Sequence, residues 1–380
     1  MKILYSHRTR SADGQWVHIS ALAKALGARG HDVRMCGPDG ADERMLDADS
    51  GGATASRLLP GSFYECAEYG YSVPAYLRLN KAAKEFQPDI LYERYNLFFH
   101  AGAWLHKRCG VPMVLEVNAP LAEERAQHGG LSLTTLARKS EAAIWSTADK
   151  VLPVTHVLAE KVRAAGVPAD RIAVVHNGVE QEFLEPRDPA PMRARYNLDG
   201  KLVLGFSGFV RDWHGVDRIL HFLSNVHNRD LHLLIVGDGP ARLELEHLAR
   251  SLQIEDRLTI TGVVQRDEVA NHIAAFDIAL QPAVVDYASP LKLFEYMAQG
   301  LPILAPDKPN INEVLTSGED GLLFKPEELE KALSMLAGDD ALRQRLGSAA
   351  RETLVRRDFT WDGNARRVET IAEKLKGKQP

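Results

Sequence analysis

SPLKLFEYMAQGLPIL, residues 289–304, contains the junction of a helix and a strand. Pro290 suits the first turn of a helix, where a missing N–H costs nothing. A Gly-Leu-Pro turn then leads into an apolar run that predicts a buried strand. Lys292 and Glu295 lie one turn apart at the start of the helix, among apolar neighbours. A helix that passes directly into a buried strand is part of a βαβ unit.

The same alternation of strand-like runs and helical patterns fills nearly the whole chain, which predicts parallel sheets. A helix is predicted over 18–30, where apolar residues recur at helical spacing up to Gly30. The predicted strands of the first half are KILYS (2–6), DVRMC (32–36), DILYE (89–93), PMVLEV (112–117), KVLPV (150–154) and RIAVV (171–175). Those of the second half are LVLGFS (202–207), LHLLIVG (231–237), RLTITG (257–262), DIALQP (277–282), PILAP (302–306) and GLLF (321–324).

A change in composition and hydrophobic pattern near the middle of the chain predicts two domains. The stretch from about 180 to 200 carries three prolines and many charges without any hydrophobic period, which is typical of a linker or domain boundary. We therefore predict doubly wound domains over 1–185 and 186–360, followed by a closing helical segment over 361–380.

Composition excludes several classes of protein. A net charge of −5 over 380 residues, without a block of Lys and Arg, argues against a nucleic-acid partner. Cys36, Cys66 and Cys109 are far apart and predict neither a disulfide framework nor a zinc site. The chain opens on a strand, and no apolar run approaches the roughly 18 residues that span a bilayer. The expected location is the cytoplasm.

Asp47 and Asp49 form an Asp-x-Asp pair in a Gly-rich segment, a pattern that binds metal in some enzymes. The match is short, common by chance and away from any strand end. We predict that the protein needs neither a metal nor another cofactor, so any anionic ligand must be held by local donors.

In a doubly wound sheet the ligand lies beyond the carboxyl ends of the strands, where helix N-termini offer free N–H groups and partial positive charge. Gly14 in SADGQWVHIS (11–20) would let a phosphate approach the backbone, although a simple loop-to-helix turn explains it as well. In FSGFVRDWHGVDRIL (206–220) a strand ends at Gly208 and Arg211 follows. Arg211 is either a diphosphate clamp or a solvated surface residue.

The opening stretch is the third such position. After Ser289 and Pro290, the amides of Leu291 and Lys292 would point at a ligand beside the lysine cation. Glu295 could accept hydrogen bonds from the vicinal hydroxyls of a ribose; the alternative is an i,i+3 salt bridge with Lys292. The backbone of Val263 and Val264, after another strand, could meet a flat base.

Five motifs occur in the order and spacing of a known family: RGHDV (29–33), VVHNGVE (174–180), IVGDGP (235–240), ITGVVQRDEV (260–269) and SPLKLFEYMAQGLPIL (289–304). With them the chain resembles the retaining, nucleotide-sugar-dependent glycosyltransferases of family four. The resemblance implies an α/β fold of the GT-B type, with two Rossmann-like domains facing across a cleft. It also implies that the first domain binds the acceptor, that the second binds the donor, and that the last helix packs back on the first.

Carried over by motif, the donor contacts are those named above: Arg211, Lys292, Gly14 and the two amides at the diphosphate, Glu295 at the ribose, and Val263 and Val264 at the base. Three positions depart from the family pattern. Tyr287 replaces a glutamate that touches the transferred sugar, so sugar identity is in doubt. His214 replaces the phosphate-loop lysine, leaving Arg211 or a protonated His214 to supply charge. Asn118 replaces a histidine near the sugar and cannot shuttle a proton at neutral pH.

The resemblance also suggests bacterial polysaccharide and glycoconjugate pathways, through YERYNLFFH (92–100) and LEVNAP (115–120). Glu93, Arg94 and Glu116 at strand exits are the predicted acceptor contacts; a structural salt bridge is the alternative for the first two. The acceptor would be a glycan, a lipid-linked molecule or a small hydroxyl compound. Two basic groups, Arg78 with Lys81 and Lys84, and Arg138 with Lys139, either touch anionic lipid or form solvated helix faces.

The favoured function is transfer of a hexosyl group from a nucleoside-diphosphate sugar to a hydroxyl, with Arg211, Lys292 and Asn118 at the reaction centre. No side chain stands out as a nucleophile on the sugar, so we expect attack from the face that the diphosphate leaves. A non-catalytic nucleotide- or glycan-binding partner of another enzyme is the alternative function. A nucleotide-sugar epimerase is a third, for which the expected carboxylate arrangement is missing.

Overall fold

The computed structural model describes residues 1–9, 14–38, 61–127, 130–226 and 230–377. Strands within these ranges are β1 Lys2–Ser6, β2 Asp32–Cys36, β3 Ile90–Arg94, β4 Met113–Val117, β5 Lys150–Pro153, β6 Leu202–Ser207, β7 Leu231–Val236, β8 Leu258–Ile260, β9 Ile278–Leu280, β10 Ile303–Pro306 and β11 Leu322–Phe324.

Helices alternate with the strands as the sequence predicts. They are α1 Gly14–Ala28, α2 Gly61–Gly70, α3 Ser72–Phe86, α4 Ala101–Cys109, α5 Leu121–Gln127, α6 Thr134–Thr147, α7 His156–Ala164, α8 Ala190–Arg195, α9 Asp217–Asn225, α10 Arg242–Ser251, α11 Val269–Ile273, α12 Leu291–Ala298, α13 Pro309–Asn312, α14 Leu329–Gly338, α15 Asp340–Arg357 and α16 Trp361–Lys376.

The chain divides into two compact units by its contacts. The first unit comprises Met1–Asn177, Tyr287–Ser289 and Trp361–Pro380, and the second comprises Gly178–Asp286 and Pro290–Thr360. The division therefore falls earlier than residue 185, and the segment predicted to be a linker belongs to the second unit. Side chains hold it there, since Gln299 donates to the Phe183 carbonyl at 2.5 Å and Arg351 to the Leu184 carbonyl at 2.5 Å.

The first unit is built on a parallel sheet in the order β2-β1-β3-β4-β5. Strands β3 and β4 are buried along their whole length, as expected of strands covered by helices on both faces. Strands β2 and β3 lie on opposite sides of β1, so the direction in which strands are added reverses there. The topological switch point therefore lies between β1 and β3.

The predicted strand over 171–175 is wrong, for a reason that lies in its neighbour. Ala173 N–H donates to the Val151 carbonyl and Val175 N–H to the Pro153 carbonyl, so the segment does run along the edge of β5. A parallel ladder also needs the returning bond from residue 153, and proline has no N–H to donate. Only one isolated bridge, Val151 with Ile172, remains there.

The C-terminal helix α16 belongs to the first unit and packs on α1. The Arg29 guanidinium donates to the Glu369 carboxylate at 2.6 and 3.0 Å, and the rings of His18 and Trp361 lie 4.6 Å apart. Asn364 on α16 donates to the His176 carbonyl at 2.8 Å. The end of the chain is thereby fixed to its beginning within one unit.

The second unit is built on a parallel sheet in the order β11-β10-β9-β6-β7-β8. This is the dinucleotide-binding strand order, with its topological switch point between β6 and β9. The apolar side chains of β6 and β7 are buried against helices such as α9, whose Ile219, Leu220 and Leu223 are fully enclosed.

The glycine turn of VGDGP (236–240) lets two loops pass in backbone contact. Gly208 N–H donates to the Val236 carbonyl and Val210 N–H to the Asp238 carbonyl, each at 2.9 Å. A Cβ atom on Gly239 would lie 2.1 Å from the Val210 carbonyl oxygen, closer than atoms can approach. The loop after β7 therefore fixes the loop after β6.

We expect Gly239→Ala to lower the free energy of unfolding by about 1–3 kcal/mol, the usual cost of forcing an extra methyl group into close-packed structure. Urea unfolding measures this change. Gly338→Ala is the control, because a Cβ atom there would meet no other atom within 4 Å and the φ of Gly338 is not left-handed. Equal stability of the two variants would contradict the close approach.

Candidate functional site

The switch point of the second sheet brings together residues from two loops. The loop after β6 carries Gly208 and Arg211, and the loop after β9 leads through Pro290 into α12. Because ligands of doubly wound sheets bind outside the carboxyl ends of the strands at this point, it is the candidate site of the second unit.

Helix α12 is tied to the end of β6 by Tyr296, which sequence reasoning missed. The Ser207 N–H donates to the fully buried Tyr296 hydroxyl at 2.8 Å, and the Ser207 hydroxyl donates to it at 3.2 Å. The bond brings the first turn of α12 beside Gly208, where a Cβ atom would lie 3.6 Å from Lys292 Nζ. A buried tyrosine inside an apolar helix was the available signal.

Lys292 lies over an aromatic ring and has no acidic partner among the described residues. Its Nζ is 3.5 Å from the centroid of the Phe206 ring. Burial lowers the pKa of Lys292 to about 7, and Glu295 opposes this shift only in part. Within the described ranges no group accepts a hydrogen bond from the amides of Leu291 and Lys292. The Lys292 amine and two free N–H groups therefore meet at the start of α12, an arrangement that suits an anion.

His214 does not supply a charge, so that part of the prediction is wrong. The ring is buried, and burial together with the Lys292 and Arg211 cations lowers the pKa of His214 to about 3. Its Nδ1 accepts the Arg211 N–H at 3.0 Å, which leaves the proton on Nε2. His214 is a neutral hydrogen-bond donor that fixes the loop.

Arg211 is exposed, and its guanidinium lies 5.1 Å from the Phe209 ring. Phe209 and Trp213 are themselves about half exposed. Apolar surface of this kind beside an unpaired arginine is typical of a ligand-binding loop. The guanidinium is at the site without being committed to a partner carboxylate in the described part of the chain.

Glu295 does not form the alternative salt bridge with Lys292. Its Oε1 accepts a hydrogen bond of 2.5 Å from Arg266, and the same guanidinium donates to both oxygens of Glu180. Sequence reasoning missed Arg266 and Glu180, although both lie inside quoted motifs. The two residues are 86 positions apart in the chain, and nothing in the sequence indicates that their side chains form an ion pair.

Val263 and Val264 follow β8, as predicted. Val263 is 74% exposed, and Val264 is half-buried. Both remain available to a planar ligand.

The segment Tyr287–Ser289 belongs to the first unit, where its backbone is held at two points. The Thr155 hydroxyl donates to the Tyr287 carbonyl at 2.9 Å, and the Asn177 amide group donates to the Ser289 carbonyl at 2.6 Å. Burial and a hydrogen bond to Glu124 raise the pKa of the Tyr287 phenol. Tyr287 is thus a neutral group with an acidic neighbour. Gly14 opens α1, whereas residues 11–13 of its loop lie outside the described residues.

Glu116 is the centre of a buried polar network in the first unit. Tyr92 and His18 donate to its Oε2 at 2.7 and 2.9 Å, and Arg94 and Asn118 to its Oε1 at 2.6 and 2.5 Å. These donors hold the pKa of Glu116 well below its usual range despite burial. Because its two oxygens are occupied, Glu116 orients Arg94 and Asn118 and has little freedom to bind an acceptor itself. His18 was missed.

Glu93 is fully buried, so the structure does not support its predicted contact with an acceptor. The Ser6 hydroxyl donates to its Oε2 at 2.8 Å, and a Cβ atom on Gly102 would overlap the carboxyl group. It makes no salt bridge with Arg94 either, since Arg94 is paired with Glu116. Burial raises the pKa of Glu93 to about 8.

The raised pKa predicts a pH-dependent stability. An unfolded glutamate ionises near pH 4.5, whereas folded Glu93 keeps its proton to about pH 8. Its contribution is therefore full below pH 4.5 and is lost as the pH rises to 8, at up to about 1.4 kcal/mol per pH unit. We expect the free energy of unfolding of Glu93→Gln, minus that of wild type, to be larger at pH 8 than at pH 5. Urea unfolding of both proteins at the two pH values measures this change. A difference that does not change with pH would contradict a protonated Glu93.

Two further findings concern metal and membrane. Within the described ranges no group of three or more His, Cys, Asp or Glu side chains is placed to hold a metal ion, and Asp47 and Asp49 lie outside those ranges. None of the helices in the described part of the chain is both long and apolar enough to cross a bilayer.

Two family models match consecutive parts of the chain. Residues 12–183 match the model described as Glycosyltransferase Family 4, and residues 190–353 match the one described as Glycosyl transferases group 1. Among solved structures, Anabaena Alr3699/HepE in complex with UDP is 18% identical, with a TM-score of 0.78 over 98% of this chain and all of the other. The fold is therefore that of the GT-B glycosyltransferases.

Curated relatives agree with this class. The alpha-D-kanosaminyltransferase of Streptomyces kanamyceticus is 25% identical over 69% of this chain and 75% of its own. The GDP-mannose-dependent alpha-mannosyltransferase of Mycobacterium tuberculosis is 26% identical over 87% of this chain and 85% of its own. The chain belongs to glycosyltransferase family four, and it is a glycosyltransferase. Nothing in these comparisons supports the non-catalytic alternative.

Proposed function

We propose that this glycosyltransferase moves a hexosyl group from a nucleoside-diphosphate sugar to a hydroxyl acceptor in polysaccharide or glycoconjugate biosynthesis. The proposal includes retention of the anomeric configuration and independence from divalent metal. The observation that carries it is the meeting of Lys292, without an acidic partner among the described residues, and two free amides beside Gly208 at the switch point. This arrangement suits a pyrophosphate.

In the proposed reaction the bond between the anomeric carbon and the diphosphate oxygen breaks, and a bond to the acceptor oxygen forms on the same face. The departing phosphate oxygen takes the proton of the acceptor hydroxyl. Charge on the leaving diphosphate is stabilised by Lys292, Arg211 and the helix amides, which are positioned before the reaction begins. An arriving diphosphate also favours the protonated form of Lys292, whose pKa of about 7 leaves it only partly charged in the free protein.

The remaining contacts are those that the family motifs imply. Glu295 binds the ribose, Val263 and Val264 flank the base, and Gly14 approaches the diphosphate. Tyr287 and Ser289 contribute to the donor side, with Tyr287 at the transferred sugar. Glu116 orients both Arg94 and Asn118. Arg94 contacts a glycan, lipid-linked or small hydroxyl acceptor, and Asn118 lies at the reaction centre near the transferred sugar.

We expect Lys292→Ala and Arg211→Ala each to lower turnover about a hundredfold, by analogy with the loss of one oxyanion donor. Turnover is measured by product formation from a panel of nucleoside-diphosphate sugars, with chelator present and with the product anomer read by NMR. Lys331→Ala, at an exposed lysine on α14, is the control. Unchanged turnover in both site variants would refute the site, an inverted anomer would refute retention, and loss of activity with chelator would refute metal independence.

We further propose that the protein works in the cytoplasm with weak contact to the inner face of a membrane. Support comes from one stripe of α3, where Val73 and Leu77 are more than half exposed and Lys81 and Lys84 follow at helical spacing. Arg78 lies off this stripe, because it is half-buried and donates to the Tyr71 hydroxyl at 3.1 Å. Arg138 and Lys139 on α6 are exposed.

We expect Leu77→Glu to abolish flotation with vesicles that contain anionic phosphatidylglycerol, because it removes apolar surface and adds like charge. Val355→Glu, which changes a valine exposed to a similar degree in the second unit, should float like wild type. Wild-type protein that stays with the soluble fraction at low salt would refute membrane contact.

A further inference from the structure

Arg266 joins two carboxylates that the chain brings from distant positions. Its Nε and Nη2 donate to the two oxygens of Glu180 at 2.9 and 2.7 Å, and its Nη1 donates to Glu295 Oε1 at 2.5 Å. The guanidinium also lies 4.7 Å from the centroid of the Phe183 ring. The two neighbouring carboxylates and the ring fix the plane of this side chain.

Glu295 is consequently held from one side only. Its Oε1 is taken by Arg266, while its Oε2 accepts no hydrogen bond from the described residues. The carboxylate is buried and stands one turn from the free amides at the start of α12. Oε2 is therefore the oxygen of this carboxylate that is left to accept a hydrogen bond from a ligand.

We propose that Arg266, itself fixed by Glu180, is a positioning residue that aims Glu295 Oε2 at a ribose hydroxyl of the donor. This inference rests on the proposed function and adds to it a determinant of ribose recognition that does not touch the ligand. Two carboxylates so close to one another would repel without the cation between them. Arg266 both neutralises the pair and leaves one acceptor in a defined direction.

The geometry requires an arginine. A guanidinium presents several N–H donors in one plane, and here three of its nitrogens bind two separate carboxylates at once. A lysine keeps the charge and an apolar stem over Phe183, but its single ammonium cannot reproduce the planar bridge. Arg266→Lys therefore disturbs the direction of Glu295 more than the stability of the fold.

The test compares nucleotides that differ only in the ribose. Kd values are measured by calorimetry for UDP, GDP and ADP, and then for the 2′-deoxy and 3′-deoxy forms of the tightest binder. Wild type should prefer the ribonucleotide to at least one deoxy form by about tenfold or more, the range expected for a hydrogen bond to a charged group. Arg266→Lys and Glu180→Gln should weaken ribonucleotide binding and leave deoxynucleotide binding unchanged, so that the preference falls to within about twofold.

Arg242→Met is the matched control. Arg242 also bridges two carboxylates, Asp238 at 3.1 Å and Glu246 at 2.9 Å, and its side chain is as exposed as that of Arg266. This variant should keep the wild-type preference for ribose. Turnover adds a second readout, because a positioning residue that acts on donor binding raises the KM for the donor more than it lowers kcat.

The outcomes separate the inference from the function on which it rests. Equal weakening of ribo- and deoxynucleotide binding in Arg266→Lys would indicate a merely structural role and overturn the inference. A wild-type protein that binds nucleotides without any preference for ribose would overturn it too, while donor binding stands. Failure of wild type to bind any of the nucleoside diphosphates would overturn the proposed function itself.

Discussion

The hydrogen bond between the Tyr296 hydroxyl and the Ser207 amide is the contact on which the candidate site of the second unit depends. It fixes the start of α12 against the end of β6, and so places Lys292 beside the backbone of Gly208. The bond is buried, so it is not exchanged for water and its geometry is well defined.

The order of elements could be predicted from the sequence because strand and helix patterns are local. Each predicted strand of the second half matches an observed one to within a few residues, and the first residues of α12 agree with the position of Pro290. The failure at 171–175 arose from a neighbouring strand, since the apolar pattern of RIAVV does not reveal that its partner presents Pro153.

The candidate site was predictable to the extent that it follows from helix starts. The position of Lys292 and of the two amides follows from the order of strands and helices along the chain. The partners of the carboxylates could be identified only from the three-dimensional structure. Glu93 and Glu116 both end buried strands, yet one is enclosed with a hydroxyl and the other is surrounded by four donors. That difference depends on Gly102, which follows Glu93 in the next helix, and on His18, which is 98 residues from Glu116. Similarly, burial keeps His214 neutral, and the residues beside it in the sequence do not indicate that it is buried.

The missing N–H of Pro153 also has a consequence for the surface of the first unit. Residues 173–175 cover the outer edge of β5 without extending the sheet, because they take up its carbonyl groups and cannot complete a ladder. An open strand edge is a template for pairing with another molecule and for aggregation. On this side the sheet is terminated by its own chain, which blocks the addition of a strand from another molecule to the folded protein.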